Sequence, residues 1–244
     1  EDIASSSVAD PTAVSVLDRV LRSGADAPVE TALELESLAY STLLASAEFR
    51  AWRARVPRAD RPSPSGSVQV ARCDDVLTVT LDRPDRHNAF DRAMRDGLVD
   101  ALRLVRSDAS IRRVDLSGAG SSFCSGGDLA EFGTADDPAL AHLVRLERSA
   151  GHTVHLLRDR VRPRLHGACI GAGIEIPAFA DHIGARPGTW FKLPEISMGL
   201  IPGAGGTVSV PRRIGRWRTA YMALTGRPID VTTALLWGLV DEQD

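Results

Sequence analysis

Arg164-Leu-His-Gly-Ala-Cys-Ile-Gly-Ala-Gly-Ile-Glu-Ile176 decides the fold. Arg164 to Ile170 reads as a strand, Gly171-Ala172-Gly173 turns the chain, and the apolar residues that follow begin a helix. A second segment repeats this plan. Arg113-Val-Asp-Leu-Ser117 runs as a short strand into the Gly-rich loop around Ser122-Phe-Cys-Ser-Gly-Gly-Asp-Leu129. Upstream, Val76-Leu-Thr-Val-Thr-Leu81 alternates as a strand does and stops at Arg83-Pro84. Asp91 to Arg106 carries Met94, Leu98, Leu102 and Val105 at helical spacing, and Pro138 to Arg158 reads as one long helix. Downstream, His182 to Arg186 and Thr189 to Phe191 read as short strands, with helices and glycine punctuation after them. Strands alternating with helices imply crossover connections, so the fold class is α/β with largely parallel pairing.

The first 66 residues differ in character. Val29 to Arg55 mixes Leu33, Leu35, Leu38, Leu43, Leu44, Phe49 and Trp52 with Ala, Glu and Arg, which predicts one or two amphipathic helices. A shorter helix is expected from Thr12 to Arg22, ended by Gly24. Arg61-Pro-Ser-Pro-Ser-Gly66 breaks both regular structures and reads as a linker, so a boundary is expected between residues 1–66 and 67–244.

Composition narrows the function classes. Of 244 residues, 43% are hydrophobic and 25% charged, enough for a sizeable core. The formal net charge of −3 gives no reason to expect nucleic acid or an anionic membrane as a partner. No apolar run approaches the roughly 18 residues of a membrane-spanning helix, and no secretory signal is read at the N-terminus. Cys73, Cys124 and Cys169 form no CxxC pair, which fits reduced thiols in a cytoplasmic protein rather than disulfides or a zinc site.

Glycines at the two strand ends let backbone come close to a ligand, and the helix N-terminus behind them adds partial positive charge. Two amides converging there would hold a developing oxyanion, although such turns also serve purely structural ends. Glu175 sits inside the apolar run Ile174-Glu-Ile176, where an unpaired carboxylate is expensive to bury, so it points to function. Glu195 follows Pro194 in a helix-start pattern, where an acid also simply favours the helix dipole. His152 and His155 lie one helical turn apart without a third ligand, so no metal site is expected. Gly171-Ala-Gly173 lacks the third glycine of a dinucleotide fingerprint, and no G-x-S-x-G elbow surrounds Ser125. The arginines at 212, 213, 216 and 218 read as surface, with contact to phosphates as the alternative.

Five segments, in one order, resemble the enoyl-CoA hydratase/isomerase (crotonase) superfamily. They are Arg83-Pro-Asp-Arg-His-Asn-Ala-Phe90, Phe123-Cys-Ser-Gly-Gly-Asp128, His166 to Glu175, Leu193-Pro-Glu195 and Gly199-Leu-Ile-Pro-Gly-Ala-Gly-Gly-Thr207. Leu224-Thr-Gly-Arg-Pro228 and Ala234 to Val240 continue the match, which covers roughly residues 68–241. The resemblance implies a crotonase-like spiral of ββα units, preceded here by a helical N-terminal extension. It implies an acyl-CoA thioester as substrate, with coenzyme A part of the substrate and no separate cofactor. Carried over by motif, the backbone N–H groups of Ser125 and Ala172 would form the oxyanion hole, and Glu175 and Glu195 would be the catalytic acid/base pair. Glu175 would activate water and Glu195 would donate the proton. Gly126, Asp128, Gly171 and Gly203 would support the substrate, with the Gly203 peptide N–H orienting a carboxylate or water.

The activity implied is addition of water across the double bond of a 2-enoyl-CoA. The alternatives are isomerase, dehalogenase, decarboxylase or thioester hydrolase chemistry, or a non-catalytic CoA-thioester binding protein. The family also implies a homo-oligomer, a trimer or hexamer. Its members continue into C-terminal helices that close the acyl site and have no counterpart in residues 67–244; either the sequence is shorter there, or helices from residues 12–55, rich in apolar residues, cover part of that surface. The segment Leu129 to Asp137 corresponds to one that shapes acyl specificity, and its acidic residues hint at a polar acyl group.

Overall fold

A computed structural model describes residues 11–56 and 67–243. Three helices come first: α1 (Pro11–Ser23), α2 (Val29–Leu44) and α3 (Ala47–Arg55). Ser46 separates the last two by accepting a hydrogen bond from the Phe49 amide as an N-cap. The linker expected at residues 61–66 lies outside the described residues. The helices themselves do not form a separate unit. Leu17, Leu33, Leu43 and Phe49 are buried in the same apolar cluster as Leu98, Val114 and Phe191.

The antiparallel pair β1 (Val68–Cys73) and β2 (Val76–Leu81) leads into α4 (Arg92–Ser107). Asp91 caps α4 by accepting from the Met94 amide, and the predicted apolar face is buried through Met94, Leu98, Leu102 and Val105. Next come β3 (Arg113–Gly118), α5 (Pro138–Glu147), α6 (Ala150–Leu156), β4 (Val161–Leu165), β5 (Ala168–Ile170) and the single turn α7 (Ala172–Glu175). The chain ends with β6 (Gly184–Ala185), β7 (Trp190–Lys192), α8 (Gly206–Ile214), α9 (Arg216–Thr225), β8 (Ile229–Asp230), α10 (Val231–Trp237) and β9 (Glu242–Gln243). One sheet has the order β1-β2-β3-β4-β6-β9, parallel from β2 onward, and a smaller one the order β5-β7-β8.

Two expectations are corrected. The long helix at 138–158 is two helices, because Ser149 caps a new one by accepting from the His152 amide. The strand at 164–170 is also two, lying in different sheets. Gly167 between them has φ +58°, and a side chain there would collide with the Ser121 carbonyl oxygen. That kink carries the chain from one sheet to the other and sets β5 beside the 118–128 loop, with Cys124 and Cys169 in a parallel bridge.

Candidate active site

The site is built where the two Gly-rich loops meet. The first loop is fixed from behind by the 83–91 segment. Asn88, at φ +54°, accepts from the Arg83 amide at 2.7 Å and donates to the carbonyls of Ala119, Ser122 and Phe123. The Arg83 guanidinium pairs with Asp91 at 2.6 Å, both side chains being 2% exposed. Breaking such a buried pair leaves an uncompensated charge. The motif at 83–90 is therefore scaffolding for the loop.

This scaffolding decides which amide faces the cleft, and it corrects the expectation for Ser125. The Ser125 amide donates to the His87 carbonyl at 2.9 Å and is spent there. Phe90 then brackets the next residues: its amide donates to the Gly126 carbonyl and its carbonyl accepts from the Asp128 amide. Between these bonds the Gly127 amide has no partner among the described residues, and Gly127 lines the cleft. Asp128 is tied to Arg83 and Arg86 at 3.5 and 3.4 Å and accepts from the Ala130 amide, so its carboxylate shapes the loop.

The second loop packs directly on the first. A side chain at Gly173 would strike the Cys124 carbonyl oxygen, and one at Gly126 would lie 3.1 Å from the Ile170 carbonyl oxygen. The Gly171 amide donates to Lys192, and the Gly171 carbonyl accepts from Ile174 and Glu175. That leaves the Ala172 amide unpartnered at the start of α7, again on the cleft wall. Ala172 is a helical residue, so its Cβ is accommodated without strain. The two loops therefore offer the Gly127 and Ala172 amides, the type of paired donor that stabilises an enolate-like oxygen.

Glu175 and Glu195 face each other across Gly171. A Cβ at that glycine would lie 2.6 Å from Glu195 Oε1 and 3.4 Å from Glu175 Oε1, so the two oxygens are within about 6 Å of each other. Glu175 Oε2 accepts from the Ala204 amide at 2.8 Å and the Gly206 amide at 2.9 Å. These donors lie one and three residues beyond Gly203, whose own amide was the expected one. Gly203 lines the cleft instead, with the Tyr40 ring so close that no side chain fits there. Glu195 Oε2 is buried with no partner among the described residues.

Burial is the main cause that raises both carboxyls, Glu195 to about 8 and Glu175 well above the usual range; nearby carboxylates add to it, while the Ala204 and Gly206 amides oppose it at Glu175 and Lys192 opposes it at Glu195. The two amides at the N-terminus of α8 make Glu175 the better place for negative charge. Glu195, lacking a donor on Oε2, is the better place for the proton.

Three further residues come from the helices at 11–56 and from α5. Glu36, Tyr40 and Arg145 are absent from any family motif, but Leu33, Glu36, Tyr40 and Leu44 recur on one helical face, which marks that face as turned inward. Arg145 donates to Ser37 and Ser41, and its guanidinium lies 5.3 Å from the Tyr40 ring centroid. Tyr40, Phe49, Arg145, Gly127, Ala172, Glu175 and Glu195 line a cleft of about 1160 Å³, roomy enough for an extended acyl chain. Residues of α2 and α3, among them Tyr40, Leu44 and Phe49, thus form one wall of the cleft.

Other sequence features lie elsewhere. His152 stacks on His155 and contacts Glu30 at 3.3 Å. Arg212 and Arg213 are held by the carbonyls of Ala27 and Ala180 and by Asp241. Among the described residues no cluster of three or more His, Cys, Asp or Glu is placed to hold a metal ion, and no helix is long and apolar enough to cross a membrane.

Comparison with known proteins identifies the family. The enoyl-CoA hydratase/isomerase family profile matches residues 72–244. The chain is 34% identical over 171 residues to 1,2-epoxyphenylacetyl-CoA isomerase of Escherichia coli, covering 68% of this chain and 64% of that protein. It is 32% identical to 2,3-dehydroadipyl-CoA hydratase of the same organism, covering 71% and 67%. The chain thus spans about two thirds of the length of these relatives. Among solved structures, an enoyl-CoA hydratase from Thermoplasma volcanium superposes with a TM-score of 0.66 at 30% identity, covering 73% of this chain and 71% of that one.

Proposed function

The chain belongs to the enoyl-CoA hydratase/isomerase family, and we propose that it adds water across the double bond of a 2-enoyl-CoA thioester. The observation that carries this reading is the pair of buried glutamates on either side of Gly171, Glu175 held by two amides and Glu195 with one oxygen unpartnered among the described residues. With the thioester carbonyl between the Gly127 and Ala172 amides, Glu175 takes a proton from water as its oxygen bonds to C3. Charge moves onto the thioester oxygen, Glu195 gives its own proton to C2, and the proton now on Glu175 passes to Glu195 through solvent, which restores the pair. The net change is the addition of one water, with no electrons left over. Removing one oxyanion donor in such a site costs roughly 3–4 kcal/mol of barrier. Coenzyme A enters as part of the substrate. A homo-oligomer, which the family resemblance implies, belongs to this proposal.

The test is loss of enoyl absorbance when crotonyl-CoA and a longer 2-enoyl-CoA meet the protein, repeated with Glu175→Gln and Glu195→Gln. Loss of turnover by orders of magnitude in both variants supports two-carboxylate hydration. A wild type that binds the thioesters and leaves the absorbance unchanged refutes it.

A further inference from the structure

Glu36 is a buried carboxylate that the hydration steps do not use. It is carried by α2, far in sequence from the loops that form the site, and is 2% exposed. Its Oε1 accepts from the Gly205 amide at 2.8 Å. Its Oε2 accepts from the Thr207 amide at 2.9 Å and the Thr207 hydroxyl at 2.7 Å. The Ala204 and Gly206 amides go to Glu175. Four successive amides at the start of α8 are therefore dealt alternately to two carboxylates on opposite sides of one turn. Gly205, at φ +102°, gives the backbone the twist this requires.

We propose that Glu36 is a positioning residue of the site, holding the 204–207 turn so that Glu175 keeps its two amide donors, and that its charge sets the ionisation of the Glu175–Glu195 pair. The proposal rests on the two-glutamate reading above. The turn cannot slide toward Glu175 without lengthening the bonds to Glu36, and the reverse holds as well. Burial raises Glu36 to about 7, although the Thr207 and Gly205 donors and Arg145 act in the opposite sense. Its charge in turn raises both Glu175 and Glu195. Tyr40 on the same helix, Arg145 on α5 and Lys192, whose charge lowers Glu195, are further groups facing the three carboxyls. The adjoining cavity adds Glu30, Glu34, Arg95, Arg148 and His152. The helices at 11–56 would then contribute to the acid/base behaviour of the site as well as forming one wall of its cleft.

The test compares wild type, Glu36→Gln and Glu36→Asp by ¹³C carboxyl titration of glutamate-labelled protein, alongside the pH profile of crotonyl-CoA hydration. In E36Q the upper ionisation of the remaining pair moves down by about one pH unit or more. The kcat falls about 10²-fold with KM little changed, as expected for a misplaced catalytic group. E36D, which keeps the charge, restores the ionisation more than the rate. A merely structural role would lower Tm and leave the ionisation where it was, so a folded E36Q with wild-type ionisations overturns the proposal. If E36Q does not fold, amide exchange in E36D decides: protection at Gly205 and Thr207 falls about tenfold for a lost hydrogen bond, and unchanged protection overturns the proposal. If wild type does not hydrate crotonyl-CoA, the hydratase reading fails, and the titration still decides the role of Glu36.

Discussion

Gly171 sits between the two glutamates, and replacing it with alanine tests whether their spacing matters. Its φ of +50° with ψ of −121° is a conformation that residues with a Cβ rarely adopt. Forcing one there costs about 1–3 kcal/mol. The new methyl would also lie 2.6 Å from Glu195 Oε1, where an ordinary contact begins at 3.4 Å, so that oxygen must retreat by about 0.8 Å. A displacement of about 1 Å in a reacting group costs on the order of 10²-fold in rate. Gly188→Ala is the matched control, because Gly188 also has a positive φ, +80°, but nothing lies within 4 Å of its missing Cβ. Thermal unfolding and crotonyl-CoA hydration are measured for both variants. Both should lose about 2–10 °C in Tm from backbone strain. Only G171A should lose about 10²-fold in kcat. Equal kcat values in the two variants would refute the claim that the carboxylate geometry sets the rate.

Three more outcomes follow from the same structure. Glu36, Glu175 and Glu195 have folded-state ionisations raised above the unfolded value near 4.5, so the stability they permit is present below pH 4.5 and lost as pH rises, toward about 7 for Glu36 and about 8 for Glu195. Calorimetry should show Tm falling between pH 5 and pH 8, with a flatter profile in E195Q; a profile that E195Q leaves unchanged would contradict the burial argument. Arg83→Ala strands the buried Asp91 charge and should cost about 3–5 kcal/mol in urea unfolding; a loss under 1 kcal/mol would mean the pair is dispensable. Removing residues 1–62 strips Leu17, Leu33, Leu43 and Phe49 from the shared core, so the remainder should lose solubility or cooperative unfolding. A soluble remainder with a sharp transition would show that the helices are only an appendage.

Much of this architecture is legible along the chain because the controlling interactions are local. The α4 face through Met94, Leu98 and Leu102 follows helical periodicity, and Glu175 stands out as a carboxylate in an apolar run. Which amide faces the cleft is a different matter. Ser125 and Gly127 belong to the same glycine-rich motif, and the choice between them is made by His87 and Phe90, more than thirty residues upstream. Gly167 is similar: only the distant Ser121 carbonyl oxygen, which leaves no room for a side chain, marks it as the kink, while the residues on either side keep a strand's character. Glu36 reads as one more acid on an amphipathic helix until the fold sets it against the Gly205 and Thr207 amides. Pairings across such distances leave no periodic signature.

Hydration by Glu175 and Glu195 puts the oxygen of water on C3 and a solvent-derived proton on C2. The most direct test is mass spectrometry of crotonyl-CoA incubated with the protein in ¹⁸O-labelled heavy water, with E175Q and E195Q in parallel. The expected product is 3-hydroxybutyryl-CoA carrying one ¹⁸O and one carbon-bound deuterium, formed by wild type and lost in both variants. Deuterium incorporation without oxygen, or ¹⁸O in a released carboxylate with free coenzyme A, would contradict it.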